Sequence, residues 1–123
     1  MTAFMDLDLS TTLVDARAVV TVSGEVDLET ASRLGDHALD AVRDVCPHLA
    51  LDLSGVSFMD STGLKVLLSI QRRTDLAGGS LVLVGPRPPV RKILALTGLD
   101  VAFQIADTLE DLTPVNDGVA PTP

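Results

Sequence analysis

The chain has 123 residues and a formal net charge of −8, from 17 acidic and nine basic side chains. A chain of this length forms one domain and buries roughly two-thirds of the surface that it exposes when unfolded. An acidic chain with 2% aromatic residues is a poor candidate for binding nucleic acid, which uses basic surfaces and aromatic stacking. Because Trp and Tyr are absent from a sequence that is 46% hydrophobic, we expect an aliphatic core.

Targeting signals and cysteine usage indicate the compartment. The single cysteine, Cys46, cannot form an intrachain disulfide, which fits a reducing environment. The segment MTAFMDLDLS has neither the basic region nor the long apolar run of a signal peptide. No apolar stretch approaches the roughly 20 residues of a membrane span. We therefore expect a soluble, cytoplasmic protein without membrane insertion.

The N-terminal third contains two strand patterns followed by a helical pattern. FMDLDL (4–9) alternates apolar and polar residues, AVVTVSG (18–24) is rich in β-branched residues, and 10–17 is expected to hold the turn between these strands. From Asp27 the apolar period changes to three and four, which predicts a helix that ends before Pro47. Asp27 is its predicted N-cap, and Leu28 is placed on its apolar face.

The rest of the chain alternates strands and helices. The patterns predict strands at 48–56, 80–85 and 101–106, helices at 62–77 and 88–98, and a helical turn at 108–113. In the helix at 62–77, the predicted buried residues are Leu64, Leu67, Leu68 and Gln71. The segment 114–123 lacks periodicity and is predicted to be a disordered tail after a domain that spans 1–113.

These elements define a fold class. Strands separated by helices favour parallel pairing with right-handed crossovers, whereas the first two strands, joined by a short turn, favour antiparallel pairing. The sequence therefore predicts a single α/β domain with a mixed five-stranded sheet and about four helices.

Candidates for catalysis, metal binding and anion binding are weak. His37 and His48 have no second ligand at metal spacing, and neither is part of a pattern that would activate Ser61 as a nucleophile. We expect no catalysis, no metal and no cofactor. A basic corner formed by Arg87, Arg91 and Lys92 could attract an anion, although ordinary surface basicity is favoured.

A polar segment, Asp60-Ser61-Thr62-Gly63, separates the strand at 48–56 from the following helix. Either Asp60 or Ser61 can cap that helix, which would contribute roughly 1 kcal/mol. Capping explains one polar residue, but it does not explain four together at a strand end, where binding residues gather in α/β sheets. A phosphate on Ser61 would add about −1.5 to −2 of charge beside Asp60. The segment therefore predicts a helix cap and, as a hypothesis, a phosphorylation switch.

The sequence also resembles a known family over 4–112. VVTVSGEVDLETASRL, LALDLSGVSFMDSTGLKVLL, GGSLVLVGPRPPVRKILALTGL and FQIADTLEDL are similar, in order and spacing, to segments of the single-domain STAS family of bacterial anti-sigma factor antagonists. The resemblance implies that Ser61 is phosphorylated by an anti-sigma factor that is also a serine kinase of the ATPase fold. Many members have Ser where this chain has Thr62, so Thr62 is a secondary candidate.

The same resemblance implies the partners and their binding face. The unphosphorylated protein would bind the anti-sigma factor and free a sigma factor, phosphorylation would release it, and a serine phosphatase would reset it. The implied binding residues are Glu25, Asp27, Asp60, Ser61, Thr62, Gly63, Leu64 and Lys65. Two alternatives remain open, a stand-alone STAS subunit of a lipid-transport ABC system and a module that senses a nucleotide or anion.

Overall fold

The secondary structure comes from a computed structural model that describes residues 7–112 and Val115. The strands are β1 Leu7–Val14, β2 Arg17–Val26, β3 His48–Met59, β4 Ser80–Val84 and β5 Gln104–Ala106. The α-helices are α1 Ala31–Asp44, α2 Ser61–Leu76 and α3 Pro88–Leu96, and 3-10 helices span Leu99–Val101 and Leu109–Asp111. The predicted α/β class and mixed five-stranded sheet are confirmed, with three α-helices and two 3-10 helices where about four helices were predicted.

The five strands form one sheet in the order β1-β2-β3-β4-β5. β1 and β2 pair antiparallel, and β2 to β5 pair parallel. This topology follows from the connections, because a tight turn can join only antiparallel neighbours whereas a helical crossover returns the chain for parallel pairing. All the parallel strands therefore end at the same edge of the sheet.

The turn between the first two strands is shorter than the sequence predicted. Segment 10–14 is strand, and Val14 pairs with Arg17. The turn consists of Asp15 and Ala16, whose φ angles are 51° and 63°. Positive φ at both central residues is the geometry of a type I′ hairpin, and alanine seldom adopts it, so composition did not indicate the turn. Residues 4–6 of the predicted first strand lie outside the described part of the chain.

The main core lies between the sheet and the helices. It combines alternate residues of the strands with one face of each α-helix, and its fully buried members include Val20, Val22, Leu34, Leu49, Leu51, Leu53, Leu67, Ile70 and Leu94. A smaller cluster of Val19, Ala50, Val82 and Val84 lies on the other side of the sheet. Burial of these side chains supplies most of the stabilisation, at roughly 25 cal/mol per Å² of apolar surface.

The buried face of α2 differs from the prediction. Its buried residues are Gly63, Leu64, Leu67, Ile70 and Thr74. Leu68 is 39% exposed, and Gln71 is half-buried with its side-chain amide donating to the carbonyl of Ala102 at 2.9 Å. Both sets of positions have helical spacing, and packing against the sheet and α1 decided which set turned inward.

The C-terminal elements are also shorter than expected. Only Gln104–Ala106 of the predicted strand at 101–106 pairs with β4, because the chain first forms the 3-10 helix Leu99–Val101. The predicted tail at 114–123 lies outside the described residues apart from Val115, so the domain boundary stays a prediction. No helix within the described ranges is both long enough and apolar enough to cross a bilayer.

Candidate functional site

The ends of β2 and β3 bring together the two segments singled out in the sequence. These strands are parallel neighbours, and Val26 lies opposite Met59 in the last pair. The backbone amide of Asp60 donates to the carbonyl of Val26 at 3.2 Å. The turn after β2 and the start of α2 therefore lie side by side at the carboxyl edge of the sheet, where binding residues collect in α/β folds.

Asp60 is the residue that caps α2. Its carboxylate Oδ1 accepts hydrogen bonds from the backbone amides of Thr62, at 2.9 Å, and Gly63, at 3.2 Å. Asp60 itself has an extended backbone, with φ of −110° and ψ of −170°, as an N-cap residue should. The open choice between Asp60 and Ser61 is therefore answered in favour of Asp60.

Ser61 is the first residue of α2, and its side chain is exposed. Its hydroxyl makes no hydrogen bond to any described residue. Because Asp60 satisfies the helix end, the fold does not require this hydroxyl. The Ser61 hydroxyl is thus exposed and has no structural partner among the described residues.

Of the two acidic residues predicted as binding residues near the end of β2, Asp27 has a structural role and Glu25 does not. Oδ1 of Asp27 accepts from the amides of Glu29, at 3.0 Å, and Thr30, at 3.1 Å, and the hydroxyl of Thr30 donates to the carbonyl of Glu25 at 2.7 Å. Asp27 is half-buried. The carboxylate of Glu25, in contrast, is exposed and has no partner among the described residues, so it remains available for a cation.

Because of this turn, Leu28 does not lie where the sequence predicted. The sequence placed Asp27 at the N-cap and Leu28 on the buried face of the helix, but both assignments are wrong, because the N-cap residue is Thr30. α1 begins at Ala31, after the turn that Asp27 and Thr30 hold, and Leu28 is 78% exposed. Leu28 therefore presents an apolar side chain to solvent, three residues after Glu25 in the chain.

A β-bulge near the end of β3 exposes a second apolar residue. Gly24 lies opposite Val56 but Glu25 lies opposite Phe58, so Ser57 is an extra residue in β3. The inserted residue breaks the simple alternation of the strand. As a result, Phe58 stands on the same side of the sheet as Glu25 and is 46% exposed.

Phe58 was not predicted as a site residue, because the predicted strand ended at Val56. Val56 and Met59 are 0% and 3% exposed, so the bulge keeps both in the core while Phe58 faces outward. A signal was present, since a glycine inside a strand pattern, here Gly55, often marks a bulge. We use the name strand-end surface for the exposed side chains of Glu25, Leu28, Phe58, Ser61 and Lys65.

Two of the predicted binding residues lie beneath this surface. Gly63 is buried, and a methyl group on its Cα would lie 2.6 Å from Cγ of Met59 and 2.9 Å from Cγ1 of Val26. Leu64 is 5% exposed and packs in the main core. Their predicted contacts with a partner stay predictions, and we expect both residues to position α2. Thr62 is half-buried, and Lys65 is exposed.

Comparison with known proteins identifies the fold family. A family model described as the STAS domain matches residues 9–112. The chain belongs to the STAS domain family. This STAS domain is 36% identical over 102 residues to the anti-sigma-F factor antagonist RsfB of Mycobacterium tuberculosis, in a match that covers 82% of this chain and 83% of that protein. The residues that the family model matches, 9–112, include the whole strand-end surface.

Two further similarities agree with this membership. An anti-sigma F factor antagonist of Paenibacillus polymyxa is 33% identical over 90 residues, which covers 72% of this chain and 77% of the relative. The crystal structure of an anti-sigma factor antagonist from Mycobacterium paratuberculosis superposes with a TM-score of 0.79 at 35% identity, covering 90% of this STAS domain and 94% of that chain. The predicted resemblance to the STAS family of anti-sigma factor antagonists is therefore confirmed.

The basic corner of this STAS domain is partly committed to the fold. The guanidinium of Arg91 pairs with the carboxylate of Asp107 at 2.6 Å, and its Nε donates to the carbonyl of Pro86 at 3.1 Å. Arg87 is the N-cap residue of α3, and Lys92 is exposed. Because Arg91 connects α3 to the segment after β5, less of its charge is available to an anion.

The two histidines lie apart, each next to a hydroxyl. Nε2 of His37 is 2.7 Å from the hydroxyl of Thr11, and Nδ1 of His48 is 3.0 Å from the hydroxyl of Ser80. Within the described ranges, no three His, Cys, Asp or Glu side chains are grouped to hold a metal ion. These contacts connect neighbouring elements, β1 with α1 and β3 with β4.

Proposed function

We propose that this STAS domain is a cytoplasmic anti-sigma factor antagonist that works by partner switching and not by catalysis. The unphosphorylated form binds an anti-sigma factor that is also a serine kinase of the ATPase fold, and this binding frees a sigma factor. Phosphorylation of Ser61 releases the complex, and a serine phosphatase restores the binding form. The observation that carries the proposal is the exposed hydroxyl of Ser61, which the fold does not use.

The strand-end surface has the chemistry of a protein interface. Phe58 and Leu28 are exposed apolar side chains that can fill pockets of a partner, and aromatic anchors commonly dominate binding energy. Glu25 lies opposite Phe58 in the strand pairing, and its carboxylate can pair with Lys or Arg of a partner at the rim. The matching partner surface is therefore apolar at its centre and basic opposite Glu25.

The switch follows from a charge added to this surface. The γ-phosphoryl group of ATP passes to Oγ of Ser61, so that an Oγ–P bond forms, the bond to the ADP oxygen breaks, and the hydroxyl proton leaves to a base or to water. The product carries about −1.5 to −2 of charge next to Asp60. An unpaired charge in a closed interface costs about 3–5 kcal/mol, which corresponds to a loss of affinity of roughly a hundredfold to a few thousandfold.

The same modification leaves the domain folded. The cap of α2 depends on Oδ1 of Asp60 and on the amides of Thr62 and Gly63, none of which belongs to the Ser61 side chain. Release therefore requires no large change of shape.

The test uses immobilised variants as baits in a lysate of the native host. Ser61→Ala keeps the surface uncharged, and Ser61→Glu adds a negative charge to it. Ser69→Glu is the matched control, because Ser69 is also exposed on α2 but lies two turns further along the helix. We expect the Ala and Ser69→Glu baits to capture a protein of the ATPase fold and the Ser61→Glu bait to lose it.

Phosphorylation itself is tested with the captured protein. Incubation of the parent chain with that protein and ATP should add one phosphate, which fragmentation by mass spectrometry should locate at Ser61 and not at Thr62. Equal capture by the two Ser61 baits would contradict the switch. Capture of a membrane transport ATPase would favour the lipid-transport alternative. Nucleotide or anion binding that Arg91→Ala abolishes would favour the sensing alternative.

A further inference from the structure

The start of α2 offers few free amides to a phosphate on Ser61. The amides of Thr62 and Gly63 donate to the Asp60 carboxylate. The amide of Leu64 donates to the backbone carbonyl of Asp60 at 3.1 Å. The amides of Thr62, Gly63 and Leu64 therefore already have acceptors, whereas the amide of Ser61 donates to no described residue. Beyond the amide of Ser61 itself, a phosphate has to obtain further compensation from a side chain.

Lys65 is placed to supply that compensation. It lies four residues after Ser61 on α2, and residues at this spacing are neighbours on one helix face, with Cβ atoms roughly 5–6 Å apart. Its side chain is exposed, and it has no hydrogen bond or ion pair with any described residue. Of the residues between them, Gly63 and Leu64 are buried, so no exposed side chain at those positions separates the two.

The other charges around Ser61 make a cation at this position important. The end of β2, whose Val26 carbonyl accepts from the amide of Asp60, and the turn after it carry acidic residues, and so does the cap of α2: Glu25, Asp27, Glu29 and Asp60. Arg33, on the first part of α1, donates its guanidinium to the carbonyl of Leu7 at 2.7 Å. A phosphate would therefore enter a predominantly negative environment in which Lys65 is an available positive group on its own helix.

We propose that Lys65 is the intramolecular counter-ion of phosphorylated Ser61. This inference rests on the proposed function. In the unphosphorylated chain the ammonium group of Lys65 is free to pair with an acidic group of the partner. After phosphorylation it turns to the phosphate one helical turn away. The modification thus acts twice, because it adds negative charge to the strand-end surface and withdraws a cation from it.

The test measures the phosphate directly and needs no kinase. Phosphoserine is installed at position 61 during translation with an expanded genetic code, and the second pKa of the phosphate is followed by phosphorus NMR. A nearby cation favours the dianion and lowers this pKa, so Lys65→Gln should raise it by about 0.3 pH units relative to the parent. Because the pair is exposed, the difference should shrink in 1 M salt, where screening acts over about 3 Å.

Arg72→Gln is the matched control, since it removes the same charge from an exposed position on α2 that is eleven residues from Ser61. We expect this variant to leave the phosphate pKa near the parent value and Lys65→Arg to retain most of the parent effect. Identical titrations of the parent and Lys65→Gln, or an equal rise in both Gln variants, would overturn the proposal.

The outcome is separable from that of the proposed function. If the Ser61→Ala and Ser61→Glu baits capture the partner equally and Lys65→Gln raises the phosphate pKa, the counter-ion is supported and the switch is contradicted. Capture that depends on Ser61, together with an unchanged pKa, supports the switch and overturns the role of Lys65.

Discussion

The starts of α1 and α2 look alike in sequence but use their hydroxyls differently. Each follows a parallel strand, and each combines an aspartate with a hydroxyl residue, Asp27 with Thr30 and Asp60 with Ser61. Thr30 is 8% exposed, and its hydroxyl donates to the carbonyl of Glu25. The hydroxyl of Ser61 is exposed and bonds to no described residue.

This difference shows how a fold can leave a reactive group free. At α1 the aspartate and the hydroxyl both hold the turn, so modification of Thr30 would break the local structure. At α2 the carboxylate of Asp60 satisfies the helix end alone. Because the acidic cap precedes the serine, the helix start is held without the Ser61 hydroxyl, as the proposed switch requires.

The largest expected effect concerns the apolar residue beside each helix start. Phe58→Ala should weaken binding to the captured partner roughly thirtyfold, because a half-exposed aromatic anchor is worth about 2 kcal/mol, whereas Leu28→Ala should have a smaller effect. Dissociation constants from titration calorimetry check this order. Leu76→Ala is the control, since Leu76 is 74% exposed at the far end of α2. An equal loss of affinity in Phe58→Ala and Leu76→Ala would show that Phe58 is not part of the interface.

The next prediction compares the stability effects of replacing one glycine in α1 and one in α2. Gly63→Ala should lower the free energy of unfolding by about 2 kcal/mol, because its new methyl group would overlap Met59 and Val26. Gly35→Ala in α1 should raise it by about 0.5–1 kcal/mol, since its methyl group would meet only Val66, at an ordinary 3.4 Å. Urea denaturation of both variants measures the difference. A neutral Gly63→Ala would show that α2 can move away from the strand ends.

The two hydroxyls themselves can be removed in parallel. Thr30→Val should lower the free energy of unfolding by about 1–2 kcal/mol, because it leaves the carbonyl of Glu25 and the amide of Asp27 without their partner. Ser61→Ala should change it by less than about 0.5 kcal/mol. Thermal unfolding followed by circular dichroism gives both values. Equal destabilisation would mean that Ser61 has a structural role after all.

Loss of the cap is expected to have a smaller effect than loss of the Thr30 hydroxyl. Asp60→Ala should cost about 1 kcal/mol of stability, whereas Asp60→Asn, which keeps an acceptor oxygen, should cost less. Chemical denaturation compares the two variants. If Asp60→Ala were neutral, the hydroxyl of Ser61 would have taken over the amides of Thr62 and Gly63, and the separation of roles would fail.

Local periodicity was sufficient to predict most of the fold. The change from alternation to a helical period located α1 and α2, and the helical crossovers implied parallel pairing of β2 to β5, as the structure confirms. The length of β1 was missed because its hairpin turn uses Ala16 at a φ of 63°, a conformation that residue type does not indicate. Leu28 was misassigned because a helical period cannot tell a first helical turn from a capped loop.

The sequence by itself determined that an aspartate and a serine lie at the junction of a buried strand and a helix, because this feature depends only on neighbours in the chain. Only the tertiary structure decided that Asp60 forms the cap, that Asp27 is engaged while Glu25 is free, and that Phe58 points outward. These outcomes depend on strand register and on packing between distant segments, such as the bond from Asp60 to Val26 and the extra residue Ser57. Periodicity in the sequence does not encode which of several equivalent polar atoms finds a partner, since that choice belongs to the assembled sheet.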